Sequence, residues 1–418
     1  MPGRPRTDYF LPLKDSYIWT TSQCIGLVKK LSIQQSFLCK LTNQKFVEIR
    51  NRLRKMGIYS IRIKNFKSIR KTETISLKAL NVLIGANGAG KSNFIEFFKF
   101  LNRLYEQKLQ LYISQNGRAE NFLYFGRKNS DVLAGRIVFD NDVKNEYHFK
   151  MVPDQGDNLI FAEEWSNLTT PWKTEKDTLQ ISSGGNPESY LKDNTEYRSK
   201  YLRSQFRGFK LFHFHDTGFN SKVKQPSGMQ DYAFLHEDAG NLAAFLYRLQ
   251  ESFPKQFKII ERVIQSIAPF FDSFYLQPDE INKQQIYLRW QEVGSDQLFT
   301  AHNFSDGTLR MICLTTLLMQ PDLPSTIIID EPELGLHPFA IQKLGGMIKS
   351  ASTKTQIIIS TQSVNLINEF NADDIIVVER KDNQTVFSRQ SESDLYDWLQ
   401  DYSLGQLWEK NVLGGRPQ

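Results

Sequence analysis

Gly85-Ala86-Asn87-Gly88-Ala89-Gly90-Lys91-Ser92 is the stretch that decides the fold. It satisfies GxxxxGK[ST] at every fixed position, and the chemistry needs those residue types. Glycines let the backbone wrap close enough for its N–H groups to point at phosphate oxygens. Lys91 is placed to reach β- and γ-phosphates, and Ser92 to offer a hydroxyl to Mg²⁺. Residues 80–84 read as a short apolar strand running into the glycines. Behind the loop, Phe94, Phe97, Phe98, Leu101 and Leu104 recur at helical spacing. That helix would aim the partial positive charge of its N-terminus at the same anion. Gly85, Ala86, Asn87, Gly88, Ala89, Gly90, Lys91, Ser92 and the adjoining Asn93 are therefore candidate nucleotide ligands. A chance glycine-rich turn would lack the strand in front and the helix behind.

Downstream, residues 326–329 form a buried apolar run that ends in Asp330-Glu331-Pro332. A carboxylate at the C-terminal end of a strand lies where open α/β sheets bind ligands. Asp330 is the candidate holder of Mg²⁺, and Glu331 the candidate general base for the attacking water. An acidic turn after a strand is a common surface feature, and the complete phosphate loop upstream is what outweighs that reading. Phe304-Ser305-Asp306-Gly307-Thr308 precedes an apolar helical stretch, 309–319. Ser305 is a natural N-cap. Gly307 is not explained by capping, because glycine lowers helix propensity where a cap does not require it. Ser305 and the Gly307 N–H are thus candidate γ-phosphate contacts. A second buried strand, 356–360, ends in Thr361-Gln362-Ser363, and Gln362 is the candidate γ-phosphate sensor.

The remainder bounds the class. With 40% apolar and 23% charged residues the composition is that of a globular protein. No apolar run approaches the roughly 20 residues of a membrane span. Cys24, Cys39 and Cys313 show no CxxC spacing, and their odd number suits a reducing compartment. With no clear secretory signal, the cytoplasm is the expected location. The net charge of +6 is unevenly spread: residues 1–55 hold 11 Lys and Arg against 3 Asp and Glu, and the rest 41 against 43. The basicity belongs to the first segment, so it does not mark the whole chain as a nucleic-acid binder. Two accounts of residues 1–55 stay open: a basic arm touching DNA or a partner, or a dispensable extension ahead of a start at Met56. Full activity of a chain begun at Met56 would exclude the arm.

The expected organisation is a basic N-terminal extension, 1–55; a first ATPase lobe with the phosphate loop and an antiparallel β lobe, 56–165; an insertion and helical lid region, 166–300; a second ATPase lobe, 301–390; and a helical tail, 391–418. Residues 166–200, polar with Ser182-Ser183-Gly184-Gly185 and prolines, read as a surface insertion. His213 and His215 alternate around Phe214, and two histidines alone are weak evidence for a metal site. No basic surface interleaved with aromatic residues is evident from the sequence.

Four elements in order carry a resemblance to the RecF/SMC-like branch of ABC ATPases, among the bacterial predicted ATPases often described as AAA-type. They are Ile61-Arg62-Ile63-Lys64-Asn65-Phe66-Lys67-Ser68, residues 85–92, Ser305-Asp306-Gly307-Thr308, and Asp330-Glu331-Pro332-Glu333-Leu334-Gly335-Leu336-His337-Pro338. The last includes what looks like the family's D-loop. The resemblance implies an α/β fold, an ABC-type P-loop NTPase head with a mixed central sheet, an antiparallel β lobe and a helical lid. It also implies ATP and Mg²⁺ as ligands, ATP hydrolysis, and an ATP-dependent homodimer in which Ser305 acts on the partner's nucleotide. DNA or a companion effector is the implied target, in DNA repair or anti-phage defence. The helical region 232–272 is too short for an SMC-length arm. The switch position is usually His, whereas Gln362 can hydrogen-bond a phosphate but cannot carry a proton charge, so turnover is expected to be slow or coupled differently. A nucleotide-gated scaffold holding a companion nuclease or toxin is the alternative function. Lys67 and Ser68 are expected to approach the nucleotide from the first strand. Residues 395–418 resemble a subset of these ATPases found beside small companion proteins. OLD-family nucleases share the head but add a TOPRIM domain, and the 39 residues after Glu379 are too few to form one.

Overall fold

Six strands make the central sheet, and the inner ones carry short apolar runs such as 327–329, 357–359 and 375–378. The computed structural model describes residues 57–140, 144–169 and 177–415. The expected basic extension, 1–55, lies outside the described residues, and the fold is that of the unit Lys55–Gln418. The chain begins with β1 (Ile58–Phe66), β2 (Ile69–Lys71), β3 (Ile75–Ser76) and β4 (Leu80–Ile84), followed by α1 (Lys91–Glu106), α2 (Leu109–Gln115) and α3 (Arg118–Phe122). Next come β5 (Leu133–Asp140), β6 (Lys144–Pro153), β7 (Leu159–Thr169), β8 (Asp177–Ser182), α4 (Tyr197–Arg207) and β9 (Phe209–Phe212). The short strand β10 (Ser227–Gly228) leads to α5 (Leu242–Ser252) and α6 (Pro254–Ile267). Then follow β11 (Phe271–Tyr275), β12 (Gln285–Ile286), β13 (Arg289–Glu292) and β14 (Leu298–Thr300). The second half of the head is α7 (Asp306–Met319), β15 (Thr326–Asp330), α8 (Pro338–Ser352), β16 (Gln356–Thr361), α9 (Val364–Ile367), β17 (Ile375–Lys381) and β18 (Gln384–Arg389). Three short helices close it: α10 (Glu392–Leu395), α11 (Trp398–Asp401) and α12 (Leu404–Glu409).

The central sheet runs β18-β17-β4-β16-β15-β9, parallel except for β18. Alternate residues of a strand face opposite sides, and the sheet uses both. Val82, Ile84, Ile327, Ile329, Ile357 and Ile359 enter one core with α5–α8. Leu83, Ile328, Ile358, Ile376 and Val378 enter another with α1. A parallel sheet covered on both faces reads as continuous apolar runs, which is why 326–329 and 356–360 were legible. The second core is roofed by an antiparallel sheet, β2-β1-β5-β6-β7-β8 with β3 against β1. Phe94, Phe97, Phe98, Phe100, Leu101 and Leu104 of α1 fill the space beneath it.

Two regions take a different form from the expected one. Residues 177–182 are β8, which extends the antiparallel sheet by pairing with β7. The loop after it is tied down by Glu164, a fully buried carboxylate on β7 that accepts hydrogen bonds from Tyr147 Oη (2.7 Å), Ser189 Oγ and the Tyr190 N–H (3.1 Å). A buried charge must be satisfied in this way, and composition alone concealed it behind a polar, glycine-containing segment. The helical region 232–272 contains α5 and α6, each burying one face in the core that holds α7.

Candidate nucleotide-binding site

Register brings the predicted motifs together. Ile84 pairs with Thr361, so Gly85 and Gln362 leave adjacent parallel strands side by side. Asp330 pairs with Ser360 on the next strand over. Residues 85–92, the Asp330-Glu331 pair and Gln362 therefore share one end of the sheet, the C-terminal end where such sheets bind ligands.

Gly90 caps α1 at φ 113°, a left-handed conformation, and no side chain satisfies the first N–H groups of the helix. Those groups remain available to an anion. A Cβ on Gly90 would stand 2.1 Å from Thr385 Oγ1. Thr385 braces the loop: its hydroxyl donates to Ala89 O (2.9 Å) and meets Ser68 Oγ at 2.7 Å. Asn93 Nδ2 donates to the same Ser68 Oγ at 2.6 Å, so the Asn93 side chain joins this brace. Lys67 pairs with Glu96 on α1. Lys67 and Ser68 thus meet the phosphate-loop helix from the β1–β2 turn. Lys91 is buried, and its Nζ donates to Gly85 O (2.7 Å) and Ala86 O (3.1 Å). Burial lowers its pKa, opposed by the charges of Glu331, Asp330 and Glu333.

Asp330 Oδ1 accepts from Ser360 Oγ, and His215 Nε2 lies 2.8 Å from the Asp330 carbonyl oxygen. Glu331 sits at φ 43°, a left-handed conformation uncommon outside glycine. Its N–H donates to Ser360 O at 3.0 Å. Gln362 Nε2 donates to Glu331 Oε1 at 2.5 Å, fixing the orientation of the carboxylate. Glu333 supports the far side of this pair: its Oε1 accepts from Thr361 Oγ1 (2.5 Å) and from the Gln362 N–H (3.2 Å). Glu333 is buried, and its Oε2 has no partner among the described residues. Burial pushes its carboxyl above the usual range, and the neighbouring Glu331 charge adds to the rise.

That shift has a signed consequence. The native state holds the Glu333 proton to higher pH than the unfolded chain does, so this group's contribution to stability falls as pH rises above about 4.3, the unfolded value. Glu333→Gln keeps an oxygen acceptor and removes the titration. Its unfolding free energy is expected to decline less than the wild type's from pH 4 toward neutrality, measured by urea denaturation at stepped pH. Parallel curves would show that Glu333 titrates alike in the folded and unfolded states.

Ser305 caps α7, its Oγ accepting from the Thr308 N–H at 3.2 Å. Gly307 has a packing reason for being glycine: a Cβ there would stand 2.7 Å from Gly335 O in the D-loop. Arg310, one turn further on, donates through Nε to Phe214 O (2.9 Å), through Nη2 to His215 O (3.1 Å) and through Nη1 to Leu334 O. The start of α7 is thereby locked to the D-loop and to the segment after β9. Gly307→Ala forces backbone apart at this contact and is expected to cost about 1–3 kcal/mol of stability, read from denaturant midpoints. An unchanged midpoint would mean the two loops separate freely.

The structure brings Lys91, Asp330, Glu331 and Gln362 together, and sets Gly307 on the D-loop with Ser305 capping the same helix. Ser360, Glu333, His215 and Thr385 also belong to this assembly, and sequence reasoning did not single out their roles. The alternation of His213 and His215 was the one available signal. In space it places His215 at the strand end beside Asp330. Among the described residues no group of three or more His, Cys, Asp or Glu is arranged to hold a metal ion, and no helix is long and apolar enough to cross a membrane.

A protein-family model described as "AAA domain, putative AbiEii toxin, Type IV TA system" matches residues 80–368. The chain is 24% identical over 303 residues to a protein of Helicobacter pylori (strain ATCC 700392 / 26695) named ATP/GTP phosphatase, across 67% of this chain and 77% of the relative. Among solved structures it is similar to an Smc head bound to the C-winged helix domain of ScpA, with a TM-score of 0.54 at 16% identity over 82% of this chain and 99% of that one. It is also similar to an Smc head with an extended coiled coil bound to the C-terminal domain of ScpA derived from Pyrococcus furiosus. There the TM-score is 0.52 at 15% identity, over 83% and 99%. At these identities the likeness defines the fold, that of a P-loop ATPase head.

Proposed function

Because this chain belongs to the AAA-domain family of that description, we propose that it is an ATPase that binds Mg-ATP on residues 85–92 and hydrolyses it in a head-to-head dimer. The observation that carries this reading is the convergence of Lys91, Asp330, Glu331 and Gln362 at the ends of adjacent strands. Lys91 and the free N–H groups of α1 neutralise the β- and γ-phosphates. Glu331, held by Gln362, accepts a proton from the attacking water. The Ser92 hydroxyl and the Asp330 carboxylate are hard oxygen donors of the kind Mg²⁺ takes, and they would hold the ion. The ion supplies charge neutralisation on the phosphates, and Ser360 orients the Asp330 oxygen toward this task. Ser305 and Gly307 serve the partner's nucleotide. DNA or a companion effector is the target of the cycle, in repair or anti-phage defence in the cytoplasm.

Lys91→Ala tests the site directly. It is expected to weaken binding of a fluorescent ATP analogue at least about tenfold, since a buried charge-assisted contact is lost. Wild-type affinity in this variant would remove the loop from the proposal. A second reading, a nucleotide-gated scaffold holding a toxin or nuclease with little hydrolysis, draws on one feature. Gln362 engages the base but cannot relay its proton. Steady-state turnover of the wild type separates the two readings: a rate indistinguishable from buffer favours the scaffold.

A further inference from the structure

The C-terminal segment touches the nucleotide site at two places. α12 packs on α9, the helix that starts immediately after Gln362 and Ser363. The Gly405 N–H donates to Asn368 Oδ1 at 2.7 Å, and a Cβ on Gly405 would stand 2.6 Å from Val364 Cγ1. Leu404 and Leu407 are buried in the core beside Leu366 and Ile367. The chain then turns back at Asn411 (φ 58°), with the Val412 N–H donating to Leu407 O at 2.9 Å. Leu413 is buried, and Gly414 and Gly415 follow at φ 82° and 81°.

These two glycines reach the phosphate loop. A Cβ on Gly415 would stand 3.3 Å from Gly85 Cα and 2.9 Å from Val377 Cγ1. On the loop's side, a Cβ on Gly85 would stand 2.2 Å from Val378 O. The first glycine of the loop is thus pressed between the middle of β17 and the tail. Glu379 fastens the tail there: its Oε1 accepts from the Gly415 N–H at 2.8 Å, and its Oε2 pairs with Lys381 Nζ at 2.5 Å. The carbonyl of Gly85 is also the one that Lys91 Nζ contacts.

We propose that residues 404–415 form a strap that positions the ATP site, joining the helix after Gln362 to Gly85, with Gly415 and its anchor Glu379 as positioning residues for nucleotide binding. This rests on the reading of residues 85–92 as the ATP loop. It acts through the loop's backbone and needs no contact between the tail and ATP. Anything that draws the tail off Gly85 would then lower ATP affinity without unfolding the head.

The test uses the full chain, a version ending at Leu413, Glu379→Ala and Glu379→Gln, with Lys91→Ala alongside. Three readouts are taken: binding of a fluorescent ATP analogue, kcat and KM for ATP, and the denaturation midpoint without nucleotide. The shortened chain and Glu379→Ala are expected to bind the analogue at least fivefold more weakly and to raise KM in step, with kcat within twofold and the midpoint unchanged. Glu379→Gln keeps an oxygen acceptor for the Gly415 N–H and should bind within twofold of wild type. Wild-type affinity in the shortened chain overturns the proposal. So does an affinity loss that tracks a fall in the midpoint, or a Glu379→Gln as weak as Glu379→Ala. If Lys91→Ala binds ATP normally, the loop assignment itself has failed; if only the tail variants bind normally, the strap alone has failed.

Discussion

Glu331→Gln is expected to cut ATP turnover by roughly 10²–10⁴-fold, the usual contribution of a positioned general base, while ATP affinity stays within about twofold. The two effects separate because different atoms carry them. In the proposed site the phosphates are held by Lys91 and the loop backbone, whose hydrogen bonds the substitution leaves in place. The lost function is proton acceptance. Glu331 is prepared for it by its left-handed backbone, by the bond from its N–H to Ser360 O, and by the amide of Gln362 on Oε1. The neutral amide that Glu331→Gln introduces can still accept from Gln362, so the local geometry survives and only the chemistry is removed. ATP-bound protein should accumulate, and size-exclusion chromatography with ATP should show a dimer that persists far longer than the wild type's. Single-turnover hydrolysis and elution volume read both effects. Wild-type hydrolysis in Glu331→Gln would move the base elsewhere, and Glu333, buried and engaged with Thr361, would be the next residue to replace.

The parts of the site legible in the sequence are those where backbone chemistry dictates residue type. A loop that cradles phosphate with its N–H groups needs glycine at fixed spacing, and a strand covered on both faces needs an unbroken apolar run. Residues 85–92, 326–329 and 356–360 announce themselves for these reasons. Other members are functional only through register. Ser360 reaches Asp330 because β15 and β16 pair in parallel across a span of 30 residues. Thr385 reaches Ala89 from almost 300 residues away. Glu333 reads as a polar residue of an acidic turn until β16 places Thr361 against it. Gly307 shows the opposite limit. Its presence marks a constraint, and the atom that imposes it, Gly335 O, belongs to another loop. The polar stretch 166–200 misled because pairing of β8 with β7, and the buried Glu164 carboxylate that holds Ser189 and Tyr190, organise backbone that composition marks as loop.

Ser305→Arg is expected to abolish ATP-dependent dimerisation and to lower turnover at least about tenfold, with ATP affinity of the separate chains unchanged. The argument is one of placement. The groups that meet around Lys91 come from β4, β15 and β16. Ser305 is exposed at the start of α7, and its neighbour Gly307 packs on the D-loop. A helix N-terminus with an exposed serine is suited to an anion, and in the proposed dimer that anion is the γ-phosphate on the other chain. Arginine there adds bulk and removes the cap, and loss of the cap alone costs about 1 kcal/mol. Ser305→Asn controls for it, because asparagine caps as well as serine. The control should match wild-type stability, so a dimerisation defect confined to Ser305→Arg reports the interface and not the helix. Light scattering with and without ATP, on a Glu331→Gln background to hold the nucleotide, gives the result directly. If Ser305→Arg still dimerises and, with Glu331 restored, turns over at the wild-type rate, Ser305 plays no part in completing the site, and the γ-phosphate must be met by groups other than the start of α7.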